Sequence, residues 1–151
     1  MTEGRVVRDF MTARPVTIGP SARLLDAALL MRRSGMRHLP VVDGDRLLGI
    51  LTDRDLQRCA PSRLIPISED DYNAVFENTT VDRVMCRGPR SIVATTLLSE
   101  AITVFQQARV GCLPVLEEGK LVGILTRWDL IEILSRILAE ESSGAPSLAR
   151  S

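Results

Sequence analysis

Two short stretches carry residue types that could do chemistry: Thr52-Asp53-Arg54-Asp55 and Thr126-Arg127-Trp128-Asp129. In each, a hydroxyl precedes a carboxylate by three residues. A carboxylate has lone pairs enough to accept from two neighbouring hydroxyl groups, and a helix opening at the threonine offers free N–H groups to an anion. The same spacing also suits an N-capped helix, in which hydroxyl and carboxylate each accept from the other's backbone N–H, worth about 1 kcal/mol. Spacing alone favours capping.

Upstream of each motif lies a second pair of positions, Arg37-His38 and Gly111-Cys112. Arginine can fork onto a phosphate and histidine adds a partial cation. Taken singly, His38 reads as a surface or packing residue and Cys112 as a small buried hydrophobe. Arg54 and Arg127 suit phosphate contacts and solvated surface equally. Trp128, the single tryptophan, suits packing or a dimer contact better than a ligand. Catalysis finds little support: there is one histidine and no GxSxG, Walker A, HExxH or GxGxxG element. Cys59, Cys86 and Cys112 form no CxxC pair, and no two ligands sit at metal-binding spacing. Reduced thiols and no metal are expected.

The elements that position these residues come as a repeat. A shift of 74 residues sets Val7 on Val81, Met11 on Met85, Pro15 on Pro89, Ala27 on Ala101 and Leu39-Pro40-Val41 on Leu113-Pro114-Val115. The same shift sets Gly49-Ile50-Leu51-Thr52 on Gly123-Ile124-Leu125-Thr126 and Asp55-Leu56 on Asp129-Leu130. Two copies of one structural unit follow. Each reads as strand, helix, strand, strand, helix. Pro15–Ile18 and Pro89–Ile92 are the first extended segments. A helix over about Arg23 to Arg33 buries Leu24, Ala27, Ala28 and Met31 and stops at Ser34-Gly35; Leu97, Leu98, Ala101, Ile102 and Phe105 repeat the face. Leu39–Val42, Asp43-Gly44 and Leu47–Leu51 form a hairpin, as do Leu113–Leu116 and Leu121–Leu125 about Glu117–Lys120. Between the copies, Ser68-Glu69-Asp70-Asp71 can start a short helix that docks Tyr72, Val75 and Phe76; Leu64, Ile65 and Ile67 are the other apolar residues there. The final helix is apolar on a broad face (Leu130, Ile131, Ile133, Leu134, Ile137, Leu138), more than a peripheral helix needs, and part of that face is expected to meet a second copy.

Lys+Arg and Asp+Glu both number 19, for a formal net charge of zero. That argues against a general nucleic-acid or anionic-membrane binder. Only Lys120 among the basic residues is a lysine. The charged N-terminus lacks the apolar run of a leader and no apolar stretch approaches a membrane span, so a cytoplasmic protein is expected.

Gly35-Met36-Arg37-His38-Leu39-Pro40-Val41-Val42-Asp43, then Leu48-Gly49-Ile50-Leu51-Thr52-Asp53-Arg54-Asp55-Leu56, resembles the CBS (cystathionine-β-synthase) domain. Val7-Arg8-Asp9-Phe10-Met11-Thr12 and Val81-Asp82-Arg83-Val84-Met85 extend the likeness, which covers residues 5 to about 138. The whole resembles a stand-alone CBS pair, or Bateman module. The resemblance implies an α+β fold with units at 5–60 and 79–138, each β-α-β-β-α, a linker at 61–78 and a flexible tail at 139–151. The units are expected to pack with pseudo-twofold symmetry, leaving two clefts, and the pairs to dimerise into a disc.

The implied function is a non-catalytic regulatory sensor binding an adenine nucleotide (AMP, ADP, ATP) or S-adenosylmethionine. The alternative is a structural protein–protein interaction module with degenerate clefts. Carried over by motif, Asp55 and Asp129 take ribose hydroxyls, while Thr52 and Thr126 face phosphate. Arg37, His38, Leu39 and Pro40, with Gly111, Cys112, Leu113 and Pro114, line the base and phosphate region, small residues at 111 and 112 leaving room for a flat base. Arg54 remains a candidate phosphate contact, with solvated surface its equal alternative. A threonine at the start of a unit's first helix serves the other unit's cleft; Thr96 matches it and can also cap its helix, whereas the first copy has Ala22. The cleft of Asp55 is therefore expected to be complete, and that of Asp129 to be weaker or empty.

Overall fold

The computed structural model describes residues 4–61, 64 and 66–144. Its elements are β1 (Thr12–Ala13), α1 (Leu24–Ser34), β2 (His38–Asp43), β3 (Arg46–Thr52), α2 (Asp53–Cys59) and α3 (Glu69–Asn78), then β4 (Cys86–Arg87), β5 (Ile92–Val93), α4 (Leu98–Ala108), β6 (Cys112–Glu117), β7 (Lys120–Thr126) and α5 (Arg127–Gly144). The architecture is α+β in two sheets.

Local chemistry explains the regular pieces. α1 buries Leu24, Ala27 and Met31 at helical spacing and ends at Gly35, whose φ of 73° lets its N–H reach the Met31 carbonyl. The hairpins turn where the expectation put them. In the second, Glu118 and Gly119 both take positive φ, 52° and 80°, as a turn matched to strand twist requires. Ser68 caps α3 by accepting from the Asp71 N–H, and Tyr72 packs its ring on Phe76, 5.9 Å between centroids, with Phe76 against the first core. Ile65 lies outside the described residues.

The sheets reveal an exchange between the copies. β4, which precedes the second copy, pairs antiparallel with β3 of the first, Cys86 opposite Ile50. β1, from the chain's beginning, pairs with β7 of the second copy, Thr12 opposite Ile124. The sheets run β2-β3-β4 and β1-β7-β6-β5. The approach segments are exchanged too: Val7 lies in the core with Leu98, Phe105 and Leu125, and Val81 in the core with Leu24, Met31 and Leu51. Thus the segment at the start of 5–60, expected within the first unit, completes the second, and residues 81–87 complete the first.

Glycine allows the exchange. A Cβ on Gly49 would stand 2.6 Å from the Cys86 carbonyl oxygen, and one on Gly123 2.9 Å from that of Thr12 and 2.5 Å from Met11 Sδ. The mid-strand glycines are where the exchanged backbone lies closest. A third apolar cluster, Ile50, Cys112 and Ile124 with Met36, joins the two hairpins.

Two further expectations are corrected. Pro15–Ile18 is not a strand; it makes a single parallel bridge, Ile18 to Val41, whereas its counterpart Ile92–Val93 is β5, parallel to β6. Residues 139–144, expected in the tail, continue α5, because Ala139, Glu140 and Glu141 are good helix formers that carry the helix past Leu138. Residues 145–151 lie outside the described residues.

Candidate functional site

The hairpin of each copy delivers its Thr-x-x-Asp to a helix start. At α2, Asp55 N–H donates to Thr52 Oγ1 (3.1 Å) and Thr52 N–H to Asp55 Oδ2 (2.9 Å). At α5 the same pair forms, Asp129 N–H to Thr126 Oγ1 (3.3 Å) and Thr126 N–H to Asp129 Oδ2 (2.8 Å). The capping role is therefore met in both copies.

Beyond capping, the copies differ. Thr126 Oγ1 also lies 3.2 Å from Asp129 Oδ2, and Thr12, on exchanged strand β1, places its hydroxyl 3.2 Å from Oδ1 and 3.4 Å from Oδ2. Among the described residues nothing donates to Asp55 Oδ1, and the Thr52 hydroxyl has no acceptor. One carboxylate keeps an oxygen for an outside donor; the other is engaged at both.

Around Asp55 the structure gathers charge from both copies. His38 is half-buried, and burial, its largest influence, pushes the imidazole below its ordinary pKa; Asp53 and Asp55 oppose this, while Arg127 and Arg37 act with it. His38 also covers Gly111: a Cβ there would sit 3.0 Å from His38 Nε2 and 3.9 Å from Arg127 Nε. The space expected to admit a flat base is thus filled by the His38 ring of the opposite copy. Arg37 binds the helix start through its backbone carbonyl, which accepts from Asp53 N–H at 3.0 Å, and Gly111 does the same for Arg127 at 3.2 Å. Arg127 of the second copy is the member of this group that the motif reading left evenly between a phosphate contact and solvated surface, and did not assign to the cleft of Asp55. Its signal was positional, because pseudo-twofold packing sets each helix start against the other copy's hairpin. Arg54 is exposed on α2.

Other expected residues sit elsewhere. Cys112 is 5% exposed within the Ile50–Ile124 cluster, and burial, with Asp129 adding to it, pushes its thiol up to about 12. The side chains of Leu39, Pro40, Leu113 and Pro114 are fully buried, so they fix the hairpins and offer no side-chain surface. Thr96 does not cap α4, which begins at Leu98 after Leu97. Its hydroxyl accepts from Val93 N–H at 3.2 Å and its carbonyl from Val7 N–H at 2.9 Å. It closes the β5–α4 turn because that turn needs an acceptor for Val93. Trp128 is 73% exposed. Among the described residues no group of three His, Cys, Asp or Glu is placed to hold a metal ion, and no helix is long and apolar enough to cross a membrane.

The model of the CBS domain matches the chain twice, over residues 7–61 and 81–136. The chain belongs to the CBS domain family. A CBS domain-containing protein of Dictyostelium discoideum is 33% identical over 135 residues, covering 88% of this chain and 93% of that one. The CBS-pair protein CBSX2 of Arabidopsis thaliana, whose crystal structure was determined in complex with AMP, superposes with a TM-score of 0.74 at 28% identity, over 89% of this chain and 99% of that one. Inosine-5'-monophosphate dehydrogenase of Aquifex aeolicus is 31% identical over 124 residues, which span 81% of this chain and 23% of the enzyme. The CBS pair at hand thus matches one segment of a larger enzyme as well as proteins of its own length.

Proposed function

We propose that this CBS pair is a non-catalytic regulatory module that binds an adenine nucleotide in the cleft of Asp55. The observation that carries the reading is the start of α2, where Asp55 Oδ1 and the Thr52 hydroxyl are left without partners among the described residues, beside Arg37, His38 and Arg127. A ribose diol donates to the carboxylate, and the phosphate meets guanidinium groups and the helix start. The AMP complex of CBSX2 supports the choice of ligand class, and the guanidinium groups favour a phosphate over S-adenosylmethionine. His38 lies over Gly111, so ligand entry turns that ring aside and couples occupancy to the contact between the copies. Such coupling is what a regulatory module needs, since a ligand shifts an equilibrium only by its differential affinity for two states.

The assembly we propose is a homodimer through α5. Trp128, Ile131, Leu134 and Leu138 are 73%, 56%, 55% and 53% exposed, and their spacing forms one stripe along the helix. A thermal-shift screen with AMP, ADP, ATP and S-adenosylmethionine tests the ligand. A nucleotide at 100 times its Kd adds about 2.7 kcal/mol to stability. No shift with any of the four contradicts the nucleotide reading and favours a protein-docking module.

A further inference from the structure

We propose that Thr12 selects which cleft takes nucleotide, its hydroxyl occupying the Asp129 carboxylate in place of a ligand. The inference rests on the adenine-nucleotide reading above and assigns a residue outside both Thr-x-x-Asp motifs as the determinant of occupancy.

The two carboxylates are matched by the 74-residue repeat and by their caps, yet they carry different donors. Asp129 Oδ2 takes Thr126 N–H at 2.8 Å and the Thr126 hydroxyl at 3.2 Å, and the Thr12 hydroxyl closes on Oδ1 at 3.2 Å. Thr12 is held there by the backbone pairing of β1 with β7, Thr12 opposite Ile124. A ribose arriving at Asp129 must therefore displace a hydroxyl that the sheet itself presents, and it exchanges one O–H···O⁻ bond for another.

In the first copy the same register position, opposite Ile50, is Cys86. A thiol is a weak donor, and the Cys86 sulfur points to the Arg87 carbonyl at 4.0 Å, not to Asp55. The determinant is therefore a threonine in one exchanged strand and a cysteine in the other.

Calorimetric titration of AMP into the full chain tests this with wild type, Thr12→Val, Asp55→Ala and the Asp55→Ala/Thr12→Val double variant. Thr12 is exposed, so valine keeps the branched shape and removes the hydroxyl without opening a cavity; Thr12→Ser, which keeps the hydroxyl, is the control and should behave as wild type. Wild type is expected to bind one AMP per chain and Thr12→Val two, Asp55→Ala to bind about 10- to 150-fold more weakly, and the double variant to regain one site of near wild-type affinity. A double variant that stays as weak as Asp55→Ala while wild type binds one AMP overturns the role of Thr12 and leaves the nucleotide reading standing. Wild type binding two AMP also overturns it. If wild type is silent and Thr12→Val binds, the role of Thr12 holds and the Asp55 site fails; if both are silent, both fail.

Discussion

Replacing Gly49 by alanine tests the exchanged strands directly. The added methyl would stand 2.6 Å from the Cys86 carbonyl oxygen and 2.8 Å from Met85 Sδ. Thioether atoms can swing aside, but the carbonyl belongs to β4 and moves only if the β3–β4 pairing opens. Overpacking of this kind costs about 1–3 kcal/mol, offset by about 0.4–1 kcal/mol because alanine leaves the unfolded chain less freedom than glycine. A net loss of about 1–2 kcal/mol lowers the Tm of a chain this size by about 2–8 °C. At Gly123 the nearest atom is the flexible Met11 Sδ at 2.5 Å, with the Thr12 carbonyl at 2.9 Å, so Gly123→Ala should lose less. Gly19 has nothing within 4 Å of its added Cβ, and Gly19→Ala should melt at or above wild type. Calorimetric melting of the three variants gives the order. A Gly49→Ala protein melting within about 1 °C of wild type would refute the close approach of β4.

Other outcomes follow from the same geometry. Burial holds the folded His38 below its ordinary pKa of 6.5, so the unfolded chain takes the proton first. Its contribution is complete above about 6.5 and is lost as pH falls below that value; lowering pH from about 7.5 to about 5.5 should cost wild type more Tm than His38→Gln, and parallel curves contradict this. With a thiol reagent at about pH 8, exposed Cys86 should react first, while buried Cys112, its thiol pushed up to about 12, should react only on unfolding. Trp128→Glu combined with Ile131→Glu should halve the mass seen by sedimentation, since both side chains are more than half exposed; a wild-type monomer rules out the α5 dimer.

Much of this arrangement was legible in the chain. Two short β-rich runs about Asp43-Gly44 marked the first hairpin, Gly35 marked the end of α1, and the recurrence of Thr-x-x-Asp after 74 residues marked two equivalent helix starts. The strand exchange was not, because β1 and β4 are two residues each and carry no periodicity. A signal did exist: Gly49 and Gly123 interrupt otherwise branched, apolar strands, which marks a close backbone approach. Room at Gly111 was misread because the occupant, His38, lies 73 residues away, and only the packing of the copies brings it there. The Asp129–Thr12 contact escaped for the same reason, a separation of 117 residues. The caps at Thr52 and Thr126 were read correctly from spacing, since they involve residues three apart and no tertiary contact; the cap expected of Thr96 did not form, because its hydroxyl serves Val93 instead.

The central claim is that Asp55, and not Asp129, holds the nucleotide. Titrating AMP into the full chain and into its Asp55→Ala and Asp129→Ala variants by calorimetry tests it most directly. A hydrogen bond to a charged group contributes about 1.5–3 kcal/mol, so Asp55→Ala should weaken binding by about 10- to 150-fold, while Asp129→Ala leaves it within about twofold. Binding abolished in Asp129→Ala and intact in Asp55→Ala would contradict the account.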